Sequence, residues 1–164
     1  MKVTKSDFII FKTEDEKIAV DVRFEDETVW LTQEQMAELF GKGRSTIAEH
    51  IGNVYEEGEL EQNRTCRNFR QVRQEGKREV VRELDYYNLD VIISVGYRVK
   101  SQRGTQFRIW ATKRLNEYIR KGFTMDDERL KNLGGGGYWK ELLQRIRDIR
   151  ASEKVFYRQV LDIY

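Results

Sequence analysis

The residues with the clearest capacity for chemistry lie close together, between positions 42 and 50. Arg44 can donate two parallel hydrogen bonds to a guanine, and Ser45 and Thr46 can reach a base edge or a phosphate oxygen. Glu49 can accept a hydrogen bond from cytosine. Polar side chains at the start of a short helix are typical of the part of a helix-turn-helix that enters the major groove. We therefore predict DNA contact through Lys42, Arg44, Ser45, Thr46, Glu49 and His50.

A second group of basic residues follows in a segment with the pattern of a β-hairpin. Residues 65–72 and 77–84 read as two strands, and Gly76 between them can adopt the positive φ of a tight turn. A hairpin directly after a helix-turn-helix is the arrangement of a winged helix. The sequence thus predicts phosphate contacts through Arg67, Arg70, Arg73, Lys77 and Arg78. Charged residues also protect sheet edges, so a purely structural hairpin stays an alternative.

Other chemistries have little support in the composition. The chain has one histidine, His50, and one cysteine, Cys66. A transition-metal site needs several such ligands, and a disulfide needs a second cysteine. We expect no metal, no cofactor and a reducing, cytoplasmic setting. No apolar run approaches the roughly 20 residues that span a bilayer, so we expect no membrane partner.

The charges are divided unevenly along the chain. The net charge is −7 over residues 1–60, +8 over residues 61–125 and +1 over residues 126–164. A polyanion such as double-stranded DNA should therefore be held by the middle third. An ordinary solvated surface of mixed charge is the alternative.

The helices that would position Arg44 are predicted from residues 31–51. Thr32 can cap a first helix, and Gln35 stands where a capping box has Glu or Gln. Gly41 can end that helix, and a second begins near Arg44 with its apolar residues facing inward. Lys42 departs from the usual pattern, because an apolar residue normally occupies that place in the turn. The alternative is a helical hairpin that only packs or binds protein.

Strands and further helices surround this motif in the predicted α+β fold. Residues 7–12, 17–24 and 28–31 read as a small antiparallel β-meander. After the hairpin, residues 86–95 read as an apolar helix that ends at Gly96. An extended segment over 97–99 and a long helix over 101–121 follow. The predicted fold therefore combines the meander, a helix-turn-helix of simple or winged type, the β-hairpin and packed helices.

The last third is expected to be separate from a domain that spans residues 1–125. Residues 126–137, with their run of four glycines, read as a linker. Residues 138–164 read as one amphipathic helix with an apolar stripe of heptad type. This stripe predicts a homodimer, a fold-back on the first domain or the start of a further domain. Its oligomerisation residues would be Trp139, Leu142, Ile146, Ile149, Phe156 and Val160.

Three stretches resemble a known family. They are RFEDETVWLTQEQMAELFGKGRSTIAEHI, LDYYNLDVIISVGYRVKSQRGTQFRIWATKRLNEYIRKGF and YWKELLQRIRDIRASEKVFYRQVLDIY. All three are similar to the RhuM family of bacterial virulence-associated proteins, whose members are described as DNA-binding or virulence proteins. The run SQRGTQFRIWATKRLNEYIRKG also resembles the end of phage Bro-N antirepressor domains. The resemblance implies that a further domain follows Tyr164.

Some RhuM-like proteins are described as relatives of Fic and death-on-curing proteins, which transfer nucleotides. That chemistry needs a loop like HPFxxGNGR, whereas His50 is followed here by Ile51-Gly52-Asn53, without the phenylalanine and arginine. We therefore expect no enzyme activity. The sequence favours a bacterial or phage-derived transcriptional regulator that binds DNA. The alternative is a protein-interaction module that acts through its C-terminal helix without binding DNA.

Overall fold

The computed structural model describes residues 5–12, 17–132 and 138–163. The chain forms two compact units, Met1–Asn116 and Glu117–Tyr164. The described strands are β1 (Lys5–Lys12), β2 (Lys17–Glu25), β3 (Thr28–Leu31), β4 (Cys66–Glu75) and β5 (Arg78–Asn88). The described helices are α1 (Gln33–Phe40), α2 (Arg44–Glu56), α3 (Gln62–Thr65), α4 (Leu89–Arg98), α5 (Gln102–Lys121), α6 (Asp127–Asn132), α7 (Tyr138–Arg150) and α8 (Glu153–Ile163). The predicted α+β class is confirmed.

The five described strands form one antiparallel sheet in the order β1-β2-β3-β5-β4. The meander β1-β2-β3 meets the β4–β5 hairpin through β3, which pairs with β5 at Trp30↔Asn88 and Leu31↔Tyr87. The two hairpin strands continue their own pairing from Cys66↔Tyr87 to Glu75↔Arg78. Most of the hairpin therefore extends past the end of β3.

Helices α1 and α2 are joined by the short turn Gly41–Gly43. The predicted capping box is confirmed: the Thr32 hydroxyl accepts from the Gln35 N–H at 3.2 Å, and the Thr32 N–H donates to Gln35 Oε1 at 2.9 Å. Gly41 ends α1 with φ of 63° in the left-handed region, and Gly76 turns the hairpin with the same φ. Both glycines occupy conformations that residues with a Cβ rarely adopt.

The core of the first unit lies between α1, α2, α4, the start of α5 and one side of the sheet. Leu31, Phe40 and Ile47 are completely buried there. Val91 and Val95 of α4 pack into the same cluster. The α1–α2 pair is thus held on its apolar side, which leaves its polar side facing solvent.

The predicted helix over 86–95 is wrong in its first part. Tyr86 and Tyr87 belong to β5, because their pairing with Arg67 and Cys66 continues the hairpin. Helix α4 begins only at Leu89, where the Asn88 side chain accepts from the Val91 N–H at 3.4 Å. The helix then runs through Gly96 to Arg98, so the extended segment predicted over 97–99 is wrong for residues 97 and 98, and only Val99 has extended backbone.

Other boundaries differ from the predicted ones. Helix α2 continues to Glu56, and α6 forms within the predicted linker. The glycine run 134–137 lies outside the described residues, and the predicted domain limits stay predictions. The single helix predicted over 138–164 is instead two helices, α7 and α8, separated at Ala151 and Ser152. Serine favours the cap position before a helix over its interior, which explains a break at this point.

Candidate nucleic-acid interface

The start of α2 presents polar groups to solvent. Arg44, Ser45 and Glu49 are exposed, while the other three predicted contact residues, Lys42, Thr46 and His50, are half-buried. The residue before the helix is Gly43, which has no side chain to cap the first N–H groups. No acidic residue stands in the first turn. Free N–H groups and the helix dipole make such a terminus favourable for a phosphate.

Two hydrogen bonds connect the start of α2 with the base of the hairpin. Arg44 Nε donates to Gln33 Oε1 at 3.5 Å, and Gln33 Nε2 donates to the Tyr87 hydroxyl at 3.2 Å. Burial raises the pKa of Tyr87, so its phenol stays protonated at neutral pH. The side chain of Arg44 is therefore oriented by neutral groups, and it forms no ion pair with any residue in the described part of the chain.

The base of the hairpin is fixed by an aromatic and cationic cluster. The Arg23 guanidinium lies over the Phe69 ring, 3.7 Å from its centroid. Phe69 in turn meets Trp30 and Tyr86 edge to face, with centroids 6.0 and 5.2 Å apart. Such contacts stabilise a sheet beyond the area that they bury. Sequence reasoning missed Arg23, because nothing in an acidic meander indicates that its partner lies on a distant strand.

The predicted hairpin contacts fall into two groups. Arg67 forms an ion pair with Asp26 and lies 4.9 Å from the centroid of the Trp30 ring. Arg70 forms an exposed ion pair with Glu83, which stands directly opposite it at 3.1 Å. These two arginines already have partners within the protein.

The remaining three residues predicted to contact phosphates from the hairpin have no ion-pair partner in the described part of the protein. Arg73, Lys77 and Arg78 are all exposed. They stand at or near the tip of the hairpin, where a polyanion can reach them.

The C-terminal helices expose apolar side chains. Ile146 and Ile149 of α7 are 49% and 60% exposed, and Trp139 and Val160 are exposed as well. Leu142 is half-buried. The side chain of Phe156 lies outside the described part of the chain. The apolar stripe predicted for oligomerisation is therefore largely uncovered on the described residues of this unit.

Comparison with known proteins identifies one family. The model of the virulence protein RhuM family matches residues 64–164, which include the hairpin, α4, α5 and the C-terminal helices. Helices α1 and α2 precede the matched range. Neither the curated proteins nor the solved structures contain a match to this chain. Among the described helices, none combines the length and apolar character needed to cross a membrane.

Proposed function

The chain belongs to the RhuM family of virulence proteins, and on this premise we propose that it is a DNA-binding transcriptional regulator of bacterial or phage origin. The observation that carries the proposal is the pairing of β3 with β5. The strand before α1 lies beside the second strand of the hairpin, so α1, α2 and the hairpin form one connected body. This is the strand order of a winged helix, in which the second helix enters the major groove and the hairpin contacts the backbone.

The charges support the same function. Arg44, Ser45 and Glu49 on α2 provide donors and acceptors that can read base edges. Lys77 and Arg78 at the tip of the hairpin, which have no ion-pair partner among the described residues, provide positive charge for phosphates. The acidic first third of the chain does not oppose this, because several of its carboxylates are held by arginines of the protein itself, as in the pairs of Arg98 with Glu57 and Glu59.

The direct test is fluorescence anisotropy of the full chain on a random duplex, over a salt series. We expect affinity to fall steeply with salt, because bound phosphates release counterions. The double variant Lys77→Ala/Arg78→Ala should reduce the salt slope by about 2. Its control is Arg147→Ala/Arg150→Ala on α7, which removes two charges and should leave the slope unchanged. The absence of salt-dependent binding by the wild type would overturn the proposal.

A second candidate function is self-association through the C-terminal unit. Exposure of Ile146 and Ile149, on one side of α7, favours it, since an isolated stripe of this kind is unfavourable in water. A homodimer would also hold two recognition helices at the spacing of the two half-sites in a DNA site with two-fold symmetry. The test is sedimentation of Ile146→Ser/Ile149→Ser against Lys140→Ser/Gln144→Ser on the opposite side of α7. Loss of the dimer only in the isoleucine variant is expected. Equal masses for all three proteins would exclude this interface.

A further inference from the structure

The β4–β5 hairpin has two faces of different chemistry. Its pairing is regular from Cys66↔Tyr87 to Glu75↔Arg78, so consecutive side chains alternate between the faces. In the outer part of the hairpin, the first face carries Gln71, Arg73, Glu75, Arg78, Val80 and Arg82. The second carries Arg70, Val72, Gln74, Glu79, Val81 and Glu83. We name these the basic face and the acidic face.

The two faces have opposite net charge. The basic face holds three arginines and one glutamate, a net charge of +2, and the acidic face holds one arginine and two glutamates, a net charge of −1. On the basic face Glu75 accepts from Arg82 at 2.7 Å, which leaves Arg73 and Arg78 unpaired among the described residues. On the acidic face Arg70 is paired with Glu83, and Glu79 has no ion-pair partner within the described ranges.

The acidic face also carries an exposed apolar pair. Val72 and Val81 stand directly opposite each other and are 64% and 58% exposed. Side chains of this kind offer nothing to a phosphate. The uncompensated groups that a polyanion would meet are thus two arginines on one face, and a carboxylate beside two valines on the other.

We propose that the two strands of the hairpin contact the DNA backbone through Arg73 and Arg78 of the basic face, beside Lys77 in the turn, and that no residue of the acidic face contacts a phosphate. The inference rests on the proposed function and adds to it the orientation of the hairpin. It also removes Arg70 from the phosphate contacts that the sequence predicts. At physiological salt, charges are screened over about 8 Å, so side chains on opposite faces of a sheet do not act on one phosphate equally.

Two variants on one strand test the orientation. Arg73→Ala and Arg70→Ala make the same substitution on β4, at exposed positions on opposite faces. We expect Arg73→Ala to weaken binding to a random duplex about eightfold near 0.1 M salt, and to lower the salt slope by about 0.9. Arg70→Ala should change the affinity by less than about twofold, because no phosphate contact is lost.

A second pair of variants distinguishes the effect of the face on which a residue lies from the effect of its ion pair. Arg70 is paired and Arg73 is not, so pairing alone could explain a difference between them. For the glutamates this relation is reversed, since Glu75 on the basic face is paired and Glu79 on the acidic face is not. If the face decides, Glu75→Gln strengthens binding and Glu79→Gln does not. If pairing decides, Glu79→Gln has the larger effect.

The outcomes distinguish this inference from the function on which it rests. A wild-type chain with no salt-dependent affinity for DNA would overturn the proposed function and the orientation together. A wild type that binds, with equal losses in Arg70→Ala and Arg73→Ala or with the larger gain in Glu79→Gln, would overturn only the orientation. Thermal melts followed by circular dichroism confirm that each variant is folded before its affinity is compared.

Discussion

The backbone of Gly96 in α4 lies directly against the ring of Phe107 in α5. A Cβ at position 96 would stand 2.5 Å from Phe107 Cε1, and 3.1 Å from Phe40 Cζ. The Phe107 ring is 2% exposed and meets Phe40 edge to face, with centroids 5.7 Å apart. Both rings are buried in the core of the first unit. Glycine is therefore required here by the close approach of two helices.

Gly96→Ala should destabilise the protein by roughly 2 kcal/mol, because the strain of overpacking exceeds the gain in helix propensity. Urea denaturation followed by circular dichroism measures the change. The matched control is Gly52→Ala in α2, where an added Cβ meets nothing within 4 Å. This control should gain up to about 1 kcal/mol. Equal effects at the two positions would show that the contact with Phe107 has no energetic role.

Thr32→Ala should cost about 1 kcal/mol of stability, because it removes the hydroxyl that accepts from the Gln35 N–H in the capping box at the start of α1. Thr32→Ser keeps the hydroxyl that accepts from the Gln35 N–H, so it should stay close to the wild type. The same urea denaturation compares the three proteins. A serine variant as unstable as the alanine variant would assign the loss to the threonine methyl group instead of the cap.

Arg44→Ala should cost 1–3 kcal/mol of affinity on a preferred duplex, and should relax the preference among sequences, on the order expected for a base contact. The 3.5 Å hydrogen bond to Gln33 is long, so it can be exchanged for one to a base. The control is Lys100→Ala, which removes an exposed charge outside α2 and the hairpin. Binding is measured on selected and random duplexes. An equal loss on every duplex would make Arg44 a phosphate contact.

Arg98 should stabilise the protein in a pH-dependent way. Its Nη1 and Nη2 donate to Glu57 at 3.2 and 2.6 Å, and Nη2 also meets Glu59 at 2.6 Å. These bonds lower the pKa of both carboxyls from their ordinary value of 4.5. A lowered carboxyl pKa contributes stability above the ordinary value, and that stability is lost as pH falls through the lowered one. Arg98→Met should thus lower Tm near pH 7, and the difference should close in strong acid.

The control for this prediction is Arg64→Met. Arg64 pairs with Glu61 at 3.1 Å, but both side chains are largely exposed. Such surface pairs contribute little, so its Tm should follow the wild type at every pH. A difference between Arg98→Met and the wild type that persists unchanged at low pH would show that Arg98 acts through packing and not through its ion pairs.

Several features were predictable because their causes are local. The capping box of Thr32 and Gln35 and the positive φ at Gly41 and Gly76 depend on neighbouring residues alone. The hairpin was also predictable as an element, although its second strand ends at Asn88 and not at residue 84. The error arose because the tyrosines of β5 fit an apolar helix equally well, and only their partners on β4 decide between the two.

The sequence by itself determined the α+β class, the order of the five strands, the α1–α2 pair and the basic character of the hairpin, since short-range capping, turn and alternation patterns carry these features. Only the tertiary structure decided that β3 pairs with β5, that Arg67 is held by Asp26, and that Gly96 is a packing residue and not a helix end. Each of these depends on partners far apart along the chain. Such contacts are selected by packing and charge in the folded state, where no local pattern can indicate them.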